Sequence, residues 1–183
     1  MKVLSLRQFG DPILRQKAKL LTHEDLQRSE IRQLITDMQH TSEVKKYGVG
    51  LAAPQVGVSV AVAVIMIKPT AVRPDAGYFR QVIINPSYLG VGRRRAMWEG
   101  CLSTGFGRNT LFGKALRYAR IQAAWLDENG NEHHEELTGL PAHVFQHETD
   151  HLNGVLFVDR VKDRYYFILH YLYTLILTKR DKE

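Results

Sequence analysis

Cysteine is almost absent from this chain, which contains one, Cys101, among 183 residues. A single cysteine cannot form a disulfide within the chain, and this suits a reducing compartment. Cys101 is therefore free to pack in the core, to act as a nucleophile or to ligate a metal. Core packing is the commonest of these three uses for a lone cysteine.

Long apolar runs and targeting signals are also missing. No segment reaches the roughly 20 apolar residues that a membrane-spanning helix needs. The N-terminal residues, Met1 to Arg7, lack the apolar stretch followed by small residues that marks a secretion signal. We therefore expect a cytoplasmic protein with no membrane span.

Internal repeats, low-complexity segments and linkers rich in Gly and Ser are absent, so one domain over residues 1–183 is the simplest organisation. Hydrophobic residues make up 44% and charged residues 24%, as in ordinary globular proteins. The formal net charge of +6 attracts polyanions, but the basic residues form only short clusters. This pattern suits weak docking on the ribosome and not direct sequence-specific binding of nucleic acid.

Hydrophobic periodicity and turn signals predict an α+β fold. Residues 22–46 have helical spacing, with Thr22 as the N-cap and Asp25 three positions later. The predicted strands cover residues 60–67, 82–84, 117–126 and 131–137, the last two joined by a hairpin turn. Further helices are predicted over residues 141–152 and about 160–178. We expect antiparallel strands packed around the central helix at 141–152, with a C-terminal helix at the end.

The central helix contains the pattern His147-Glu148-Thr149-Asp150-His151. Positions i and i+4 of a helix lie on one face, so His147 and His151 can ligate the same ion. Glu148 falls beside that ion, where a carboxylate can accept a proton from water and pass it on. The H-E-x-x-H arrangement is typical of metallohydrolases, although a five-residue pattern also occurs by chance.

Two histidines leave such a site one protein ligand short, because catalytic zinc-type sites use about three protein ligands. Asp159 and Asp163 are available downstream. Upstream lies Cys101, whose thiolate is a strong ligand for a borderline-soft ion. A ligand role would give the only cysteine a specific purpose.

Three segments together resemble the signature motifs of the peptide deformylase family. They are Gly48-Val49-Gly50-Leu51-Ala52-Ala53-Pro54-Gln55, Glu99-Gly100-Cys101-Leu102-Ser103 and Gln146-His147-Glu148-Thr149-Asp150-His151. They stand in the family's order and at similar separations. The flanking residues 10–15 and 152–157 match as well, so the resemblance covers most of residues 3–161.

The resemblance implies a role for each matching residue. It assigns metal binding to Cys101, His147 and His151, catalysis to Glu148, Gln55 and Leu102, and substrate binding to Gly50 and Gly100. Glu148 is the implied general acid/base, while the Gln55 side chain and the Leu102 backbone N–H would donate to the oxyanion.

The implied reaction removes the formyl group from the N-terminal methionine of newly made polypeptides. It uses one divalent ion, for which Fe2+ is the first expectation and Zn2+, Ni2+ or Co2+ are the alternatives. The expected partners are N-formyl-methionyl nascent peptides, with the ribosome as a further candidate.

Residues around the motifs carry additional expectations. The resemblance favours a buried pair between Glu99 and Arg117. Asp150 is expected either to bond the outer nitrogen of a histidine ligand or to lie on the helix surface. His143 is one turn before His147, and we expect it to lie near the site without being a ligand.

After Ser103 the chain departs from the family, which usually continues with an aliphatic residue, Pro and Gly. Here the sequence is Thr104-Gly105-Phe106-Gly107, and the stretch before Arg117 is longer than is common. We expect this departure to affect substrate preference and efficiency and not the metal site.

Two alternative functions are open at this point. One is an endopeptidase that uses His147, Glu148 and His151 and gives Cys101 no special role. The other is a deformylase-like protein that binds formylated chains or ribosomes with little activity.

Overall fold

The computed structural model describes residues 1–45, 48–70, 74–162 and 167–169. Their strands form one antiparallel sheet in the order β1-β2-β3-β4-β5, with β6 paired to β4. The strands are β1 (Gly50–Ala52), β2 (Val62–Ile67), β3 (Phe79–Gly100), β4 (Leu111–Leu126), β5 (Glu132–Thr138) and β6 (Ile168–Leu169).

Three α-helices accompany the sheet in these residues: α1 (His23–Gln27), α2 (Ser29–Val44) and α3 (Gly139–Leu152). Short 3-10 turns lie at Pro12–Arg15, Ala53–Val56, Gly107–Asn109 and Phe157–Arg160. The predicted combination of helices with an antiparallel sheet is confirmed. Over the same residues, no helix is long and apolar enough to cross a membrane.

The single helix predicted over residues 22–46 is divided in two at Arg28. Thr22 caps α1 as expected, since its hydroxyl accepts the Asp25 N–H and the Asp25 carboxylate accepts the Thr22 N–H, both at 3.1 Å. Arg28 then adopts an extended backbone with ψ of 135°. The helical spacing continues across this break, so periodicity alone could not reveal it.

Strand β2 is apolar on both faces because helices cover both sides of it. Ala63, Ile65 and Ile67 point to one side and pack with α3, while Val62 and Val64 point to the other and pack with α2. Successive side chains of a strand face opposite ways, so a strand covered on both faces reads as a continuous apolar run. α3 is thereby fixed against the centre of the sheet, with Phe145 in the core.

Strand β3 is far longer than the predicted segment at 82–84. Its second half, around Arg93 to Ala96, is exposed, so it lacks the apolar alternation that signals a strand. Pairing with β4 defines it: Arg95 lies opposite Arg117, and Gly100 lies opposite Phe112. This ribbon delivers Cys101, the next residue, to the end of α3.

The C-terminal helix predicted over residues 160–178 is wrong wherever this segment is described. Arg160 closes a 3-10 turn, Val161 bridges to Ala115, and Ile168–Leu169 pairs with Leu111–Phe112 of β4. Aromatic and β-branched residues suit strands, and the start of β4 offers an edge beyond the end of β5. Residues 163–166 and 170–178 lie outside the described part, so one domain over 1–183 stays a prediction.

Candidate metal centre

Cys101, His147 and His151 come together at one point, as the sequence predicts. One side-chain ligand atom from each lies within 4.8 Å of the other two. The Cys101 Sγ is 3.1 Å from the His151 Nε2. Cys101 and His151 are buried, and the His147 side chain is 12% exposed.

The downstream acids do not join this cluster where the structure describes them. Asp159 instead pairs with Arg15 and accepts the Leu156 N–H at 2.8 Å. Asp163 is outside the described residues. Among the described residues, the group that could hold an ion consists of Cys101 and the two histidines.

Helix α3 positions both histidines through its own geometry. Their ring centroids are 4.9 Å apart and the ring planes meet at 73°, and one nitrogen of each ring lies within 4.8 Å of the Cys101 Sγ. On the opposite side, the His147 Nδ1 lies 3.6 Å from a Glu99 carboxylate oxygen. A carboxylate behind a ligating histidine fixes the ring orientation and raises the basicity of the ligand.

This set of donors suits a divalent transition metal. One thiol and two imidazoles match the S and N ligands that zinc and iron accept in catalytic sites, leaving a further position open. Burial lowers the pKa of His151, which favours the neutral imidazole that a metal requires. Burial also acts to lower the pKa of His147, but hydrogen bonds to Cys101 and Glu99 outweigh it and raise this pKa, so that a bound ion would displace a proton from His147. The residues present therefore fit a bound ion.

Glu148 lies beside the cluster and is 2% exposed. Its Oε2 has no hydrogen-bond partner among the described residues, which is unusual for a buried carboxylate oxygen. Burial raises the pKa of Glu148 to about 7. A Cβ added at Gly50 would lie 2.1 Å from the Glu148 Oε1, so any larger residue at this position would force the Glu148 side chain to move.

Gln55 is oriented so that its amide nitrogen faces the cluster. The Gln55 Oε1 accepts the Ala52 N–H at 2.8 Å. The Nε2 end must then point the other way, where it lies 3.3 Å from the Cys101 Sγ and 3.2 Å from the Ser103 Oγ. A fixed donor beside the ligand sulfur is the arrangement that an oxyanion site needs.

Gly100 and Leu102 flank the cysteine on either side. A Cβ at Gly100 would lie 2.6 Å from the Phe112 ring, so the strand can pass this ring only with glycine. The Leu102 side chain lies against Gly48. The second motif therefore contacts the first motif at this point. In the described part of the chain, the Leu102 N–H has no acceptor.

A buried network of charges supports the back of the site. Arg117 donates to Glu99 at 2.7 and 3.2 Å and also to Asp150. Arg160 reaches the same Asp150 carboxylate at 2.6 and 2.9 Å. The Glu99–Arg117 pair is confirmed. The expectations for Asp150 are both wrong within the described residues, because this carboxylate is buried and is bonded to two arginines and to no histidine there.

His143 completes this network from the preceding turn of α3. Its Nε2 is hydrogen-bonded to Glu99, and it lies outside the metal-ligand group. Burial raises the pKa of Glu99, but hydrogen bonds from His143 and His147 and the charge of Arg117 outweigh it and hold this pKa well below its usual value. Glu99 therefore stays ionised behind the cluster.

The unusual residues after Ser103 have structural partners. The Thr104 hydroxyl donates to the Cys101 carbonyl at 2.9 Å. Gly105 has a φ of +131° and donates its N–H to the Gln8 side chain at 3.1 Å. A proline could neither adopt this φ nor make this bond. Phe106 is largely exposed.

Sequence reasoning missed three residues that contact the site or its network: Gln8, Ser103 and Arg160. Ser103 accepts the Gln55 amide, and its place within the second motif was the only available signal. Gln8 and Arg160 lie outside all three motifs, and nothing in their local sequence indicates their contacts.

Known proteins with similar sequences are enzymes of one kind. The profile of the family described as polypeptide deformylase matches residues 3–165. The peptide deformylase of Chlorobaculum parvum is 43% identical over 162 residues, which cover 88% of this chain and 81% of that protein. Peptide deformylase 2 of Nostoc sp. is 37% identical over 183 residues, covering 99% of this chain and 98% of that protein.

Solved structures agree with these matches. The class I type b peptide deformylase from Acinetobacter baumannii, crystallised with Met-Ala-Ser bound, gives a TM-score of 0.78 at 33% identity, covering 87% of this chain and 98% of that one. The peptide deformylase from Thermotoga maritima gives a TM-score of 0.71 at 36% identity, covering 88% and 99%.

Proposed function

The chain belongs to the polypeptide deformylase family, and we propose which of its residues carry out that family's reaction, the removal of the formyl group from the N-terminal methionine of new polypeptides. The observation that carries the proposal is the convergence of Cys101, His147 and His151 beside a buried carboxylate, Glu148, whose Oε2 has no hydrogen-bond partner among the described residues. Each of these residues comes from one of the motifs on which the resemblance rests.

Cys101, His147 and His151 hold the ion, which makes α3 a central metal-binding helix. When bound, a divalent ion lowers the pKa of water and polarises a carbonyl oxygen. Glu99 assists by fixing the His147 ring through its outer nitrogen.

Glu148 is the general acid/base. Its Oε2, which has no partner in the part of the chain that the structure describes, can accept a proton from the water that attacks the formyl carbon. The same carboxyl then gives this proton to the nitrogen of methionine as the C–N bond breaks, so that a free amine and formic acid leave, and the acid releases its proton to water as formate. Gly50 permits this because it leaves space for the carboxyl group.

Gln55 and Leu102 stabilise the oxyanion that forms on the formyl oxygen. The Gln55 amide is fixed in advance by the Ala52 N–H, so it needs no reorganisation during the reaction. The Leu102 N–H, which lies between Cys101 and Ser103, has no competing acceptor among the described residues. Losing one such donor typically costs roughly 10²–10³ in rate.

Formyl specificity follows from the close packing around this centre. A formyl carbon bears only hydrogen, whereas an acetyl group adds a methyl. We assign substrate contacts to the backbone of Gly50 and Gly100, and atoms added at these positions would meet Glu148 or Phe112. A relative from Acinetobacter baumannii was crystallised with Met-Ala-Ser, which supports a deformylated peptide as the product.

The same proposal names the natural ion, the cellular location and the partners. Fe2+ is the natural ion, and the thiolate with two imidazoles is compatible with it and equally with Zn2+, Ni2+ or Co2+. The enzyme works in the cytoplasm on N-formyl-methionyl nascent peptides. The net charge of +6 favours contact with the ribosome, where these substrates arise.

The proposal is tested with formyl-Met-Ala-Ser as substrate and with Glu148→Ala and Glu132→Ala as a matched pair. Glu132 is an exposed carboxylate at the start of β5 and lies outside the metal-ligand group. Glu148→Ala should keep its ion, measured by elemental analysis, and lose roughly 10²–10⁴ in the rate of formate release. Glu132→Ala should behave as wild type. Near-normal turnover in Glu148→Ala would refute the role of this residue.

Cys101→Ser separates this proposal from an endopeptidase built on the two histidines alone. The proposal predicts that Cys101→Ser binds the ion less tightly and cleaves no internal peptide bonds. An endopeptidase would retain its ion in this variant and would cut internal bonds.

A further inference from the structure

The N-terminal segment at residues 7–9 runs between the two halves of the oxyanion site. Its first backbone N–H, from Arg7, donates to the Gln55 carbonyl at 2.8 Å. Its last, from Phe9, donates to the Ser103 carbonyl at 2.8 Å. One short segment therefore joins the loop that carries Gln55 to the loop that carries Leu102.

The side chain of Gln8 adds two bonds in the middle of this segment. The Gln8 Nε2 donates to the Leu102 carbonyl at 3.0 Å, and the Gln8 Oε1 accepts the Gly105 N–H at 3.1 Å. Both the donor and the acceptor of the amide are thus hydrogen-bonded, to residues that lie 94 and 97 positions away in the sequence. Gln8 is half-buried, so water competes only in part for these bonds.

The bond to the Leu102 carbonyl fixes one particular peptide group. On its other side, the same Leu102–Ser103 peptide directs the Ser103 N–H to the Cys101 Sγ at 3.4 Å. Holding a peptide plane at both its oxygen and its nitrogen restricts the backbone torsions of Leu102. These torsions set the direction of the Leu102 N–H.

We propose that Gln8 is a positioning residue for the oxyanion site, which it serves by holding the Leu102 N–H at a fixed place relative to the Gln55 amide. The inference rests on the proposed function, in which these two donors converge on the formyl oxygen. Gln8 touches neither the substrate nor the ion, and it acts through the backbone of Leu102. The Gly105 bond anchors the far end of the same loop.

Two variants whose new side chains are about as long as glutamine distinguish the two hydrogen bonds of the Gln8 side chain. Gln8→Met removes the donor and the acceptor, whereas Gln8→Glu keeps an acceptor for Gly105 and loses the donor to Leu102. Phe9→Ala is the matched control, because the exposed Phe9 side chain is removed while its backbone bond to Ser103 remains. For each variant we would measure bound ion, kcat and KM for formyl-Met-Ala-Ser, and the thermal midpoint.

The expected result is a fall in kcat of about 10-fold in both Gln8 variants, with KM changed less, because oxyanion donors act mainly in the transition state. Ion content should be unchanged, and Phe9→Ala should match wild type. A Gln8→Glu variant with wild-type kcat would overturn the proposal, since the Leu102 bond would then be dispensable.

A double-mutant cycle with Gln55→Ala distinguishes positioning from a general loss of structure. If Gln8 places the Leu102 N–H relative to the Gln55 amide, the effect of Gln8→Met should depend on Gln55. In the Gln55→Ala background, Gln8→Met should lower kcat less than about 3-fold, because the oxyanion can then shift to suit the one remaining donor. Equal losses in both backgrounds would overturn the proposal. Wild-type kcat in Gln55→Ala alone would instead refute the oxyanion assignment itself.

Discussion

Replacing Arg117 with methionine should destabilise the protein by about 3–5 kcal/mol, the usual cost of removing one partner from a buried ion pair. Arg117 is 1% exposed and donates to both Glu99 and Asp150. Its removal leaves two buried carboxylates whose negative charges are only partly balanced. His143 still contacts Glu99, and Arg160 still contacts Asp150. Methionine is long and apolar, so little of this cost would come from a cavity.

The matched control is Arg120→Met, on the same strand. Arg120 pairs with Glu136 at 3.9 Å, and their side chains are 53% and 45% exposed. An exposed pair of this kind contributes at most about 1 kcal/mol. The two variants thus differ in burial and not in the chemistry of the substitution.

Urea unfolding at a fixed ion concentration, followed by circular dichroism, gives the free energy of unfolding for each variant. The ion concentration must be held constant because a bound ligand adds to stability. A second readout is ion affinity, which should fall about 10–100-fold in Arg117→Met since Glu99 orients His147. Equal effects in Arg117→Met and Arg120→Met would refute the importance of the buried network.

Two further predictions concern Gly50 and the β4–β5 hairpin. Gly50→Ala would place a Cβ 2.1 Å from the Glu148 Oε1, so the rate of formate release should fall roughly 100-fold. Elemental analysis should find the ion retained. Wild-type turnover would contradict this prediction, because it would mean that the Glu148 carboxyl can move aside. Burial raises the pKa of Asp127, but hydrogen bonds from Asn131 outweigh it and lower this pKa to about 2. A lowered carboxyl pKa stabilises the folded state above the unfolded value of 3.8 and ceases to do so as pH falls through 2. The thermal midpoint of wild type should therefore exceed that of Asp127→Asn at neutral pH and approach it between about pH 4 and pH 2; a pH-independent difference would contradict this.

Local patterns predicted those parts of the structure that depend on nearby residues. The capping box of Thr22 and Asp25 spans three positions, and the histidine pair of α3 spans four. Such contacts follow from helix geometry and need no knowledge of the rest of the fold. The Asp127 turn and its two strands were predictable for the same reason.

Cys101 as a ligand required more than local geometry. It is 46 residues from His147 and 50 from His151, and the three meet because β3 ends beside α3. The residues alone left Asp159 and Asp163 as competitors. Resemblance to a family supplied the choice, and the structure brings the sulfur and the two rings together.

The remaining contacts were unpredictable because they join distant segments without a repeating pattern. Gln8 reaches Leu102, and Arg160 joins Arg117 at Asp150, through pairings that the tertiary fold creates. The apolar tail likewise has a composition that suits a helix or a strand. Pairing of Ile168–Leu169 with β4 decided between them in the part that is described.

X-ray absorption spectroscopy of the zinc-loaded protein tests the ligand set most directly. With Cys101, His147 and His151 as ligands, the spectrum should show one sulfur at about 2.3 Å and two imidazole nitrogens at about 2.0–2.1 Å. In Cys101→Ser the sulfur contribution should disappear. A wild-type spectrum without sulfur would contradict the central claim, because the ion would then be held by other residues.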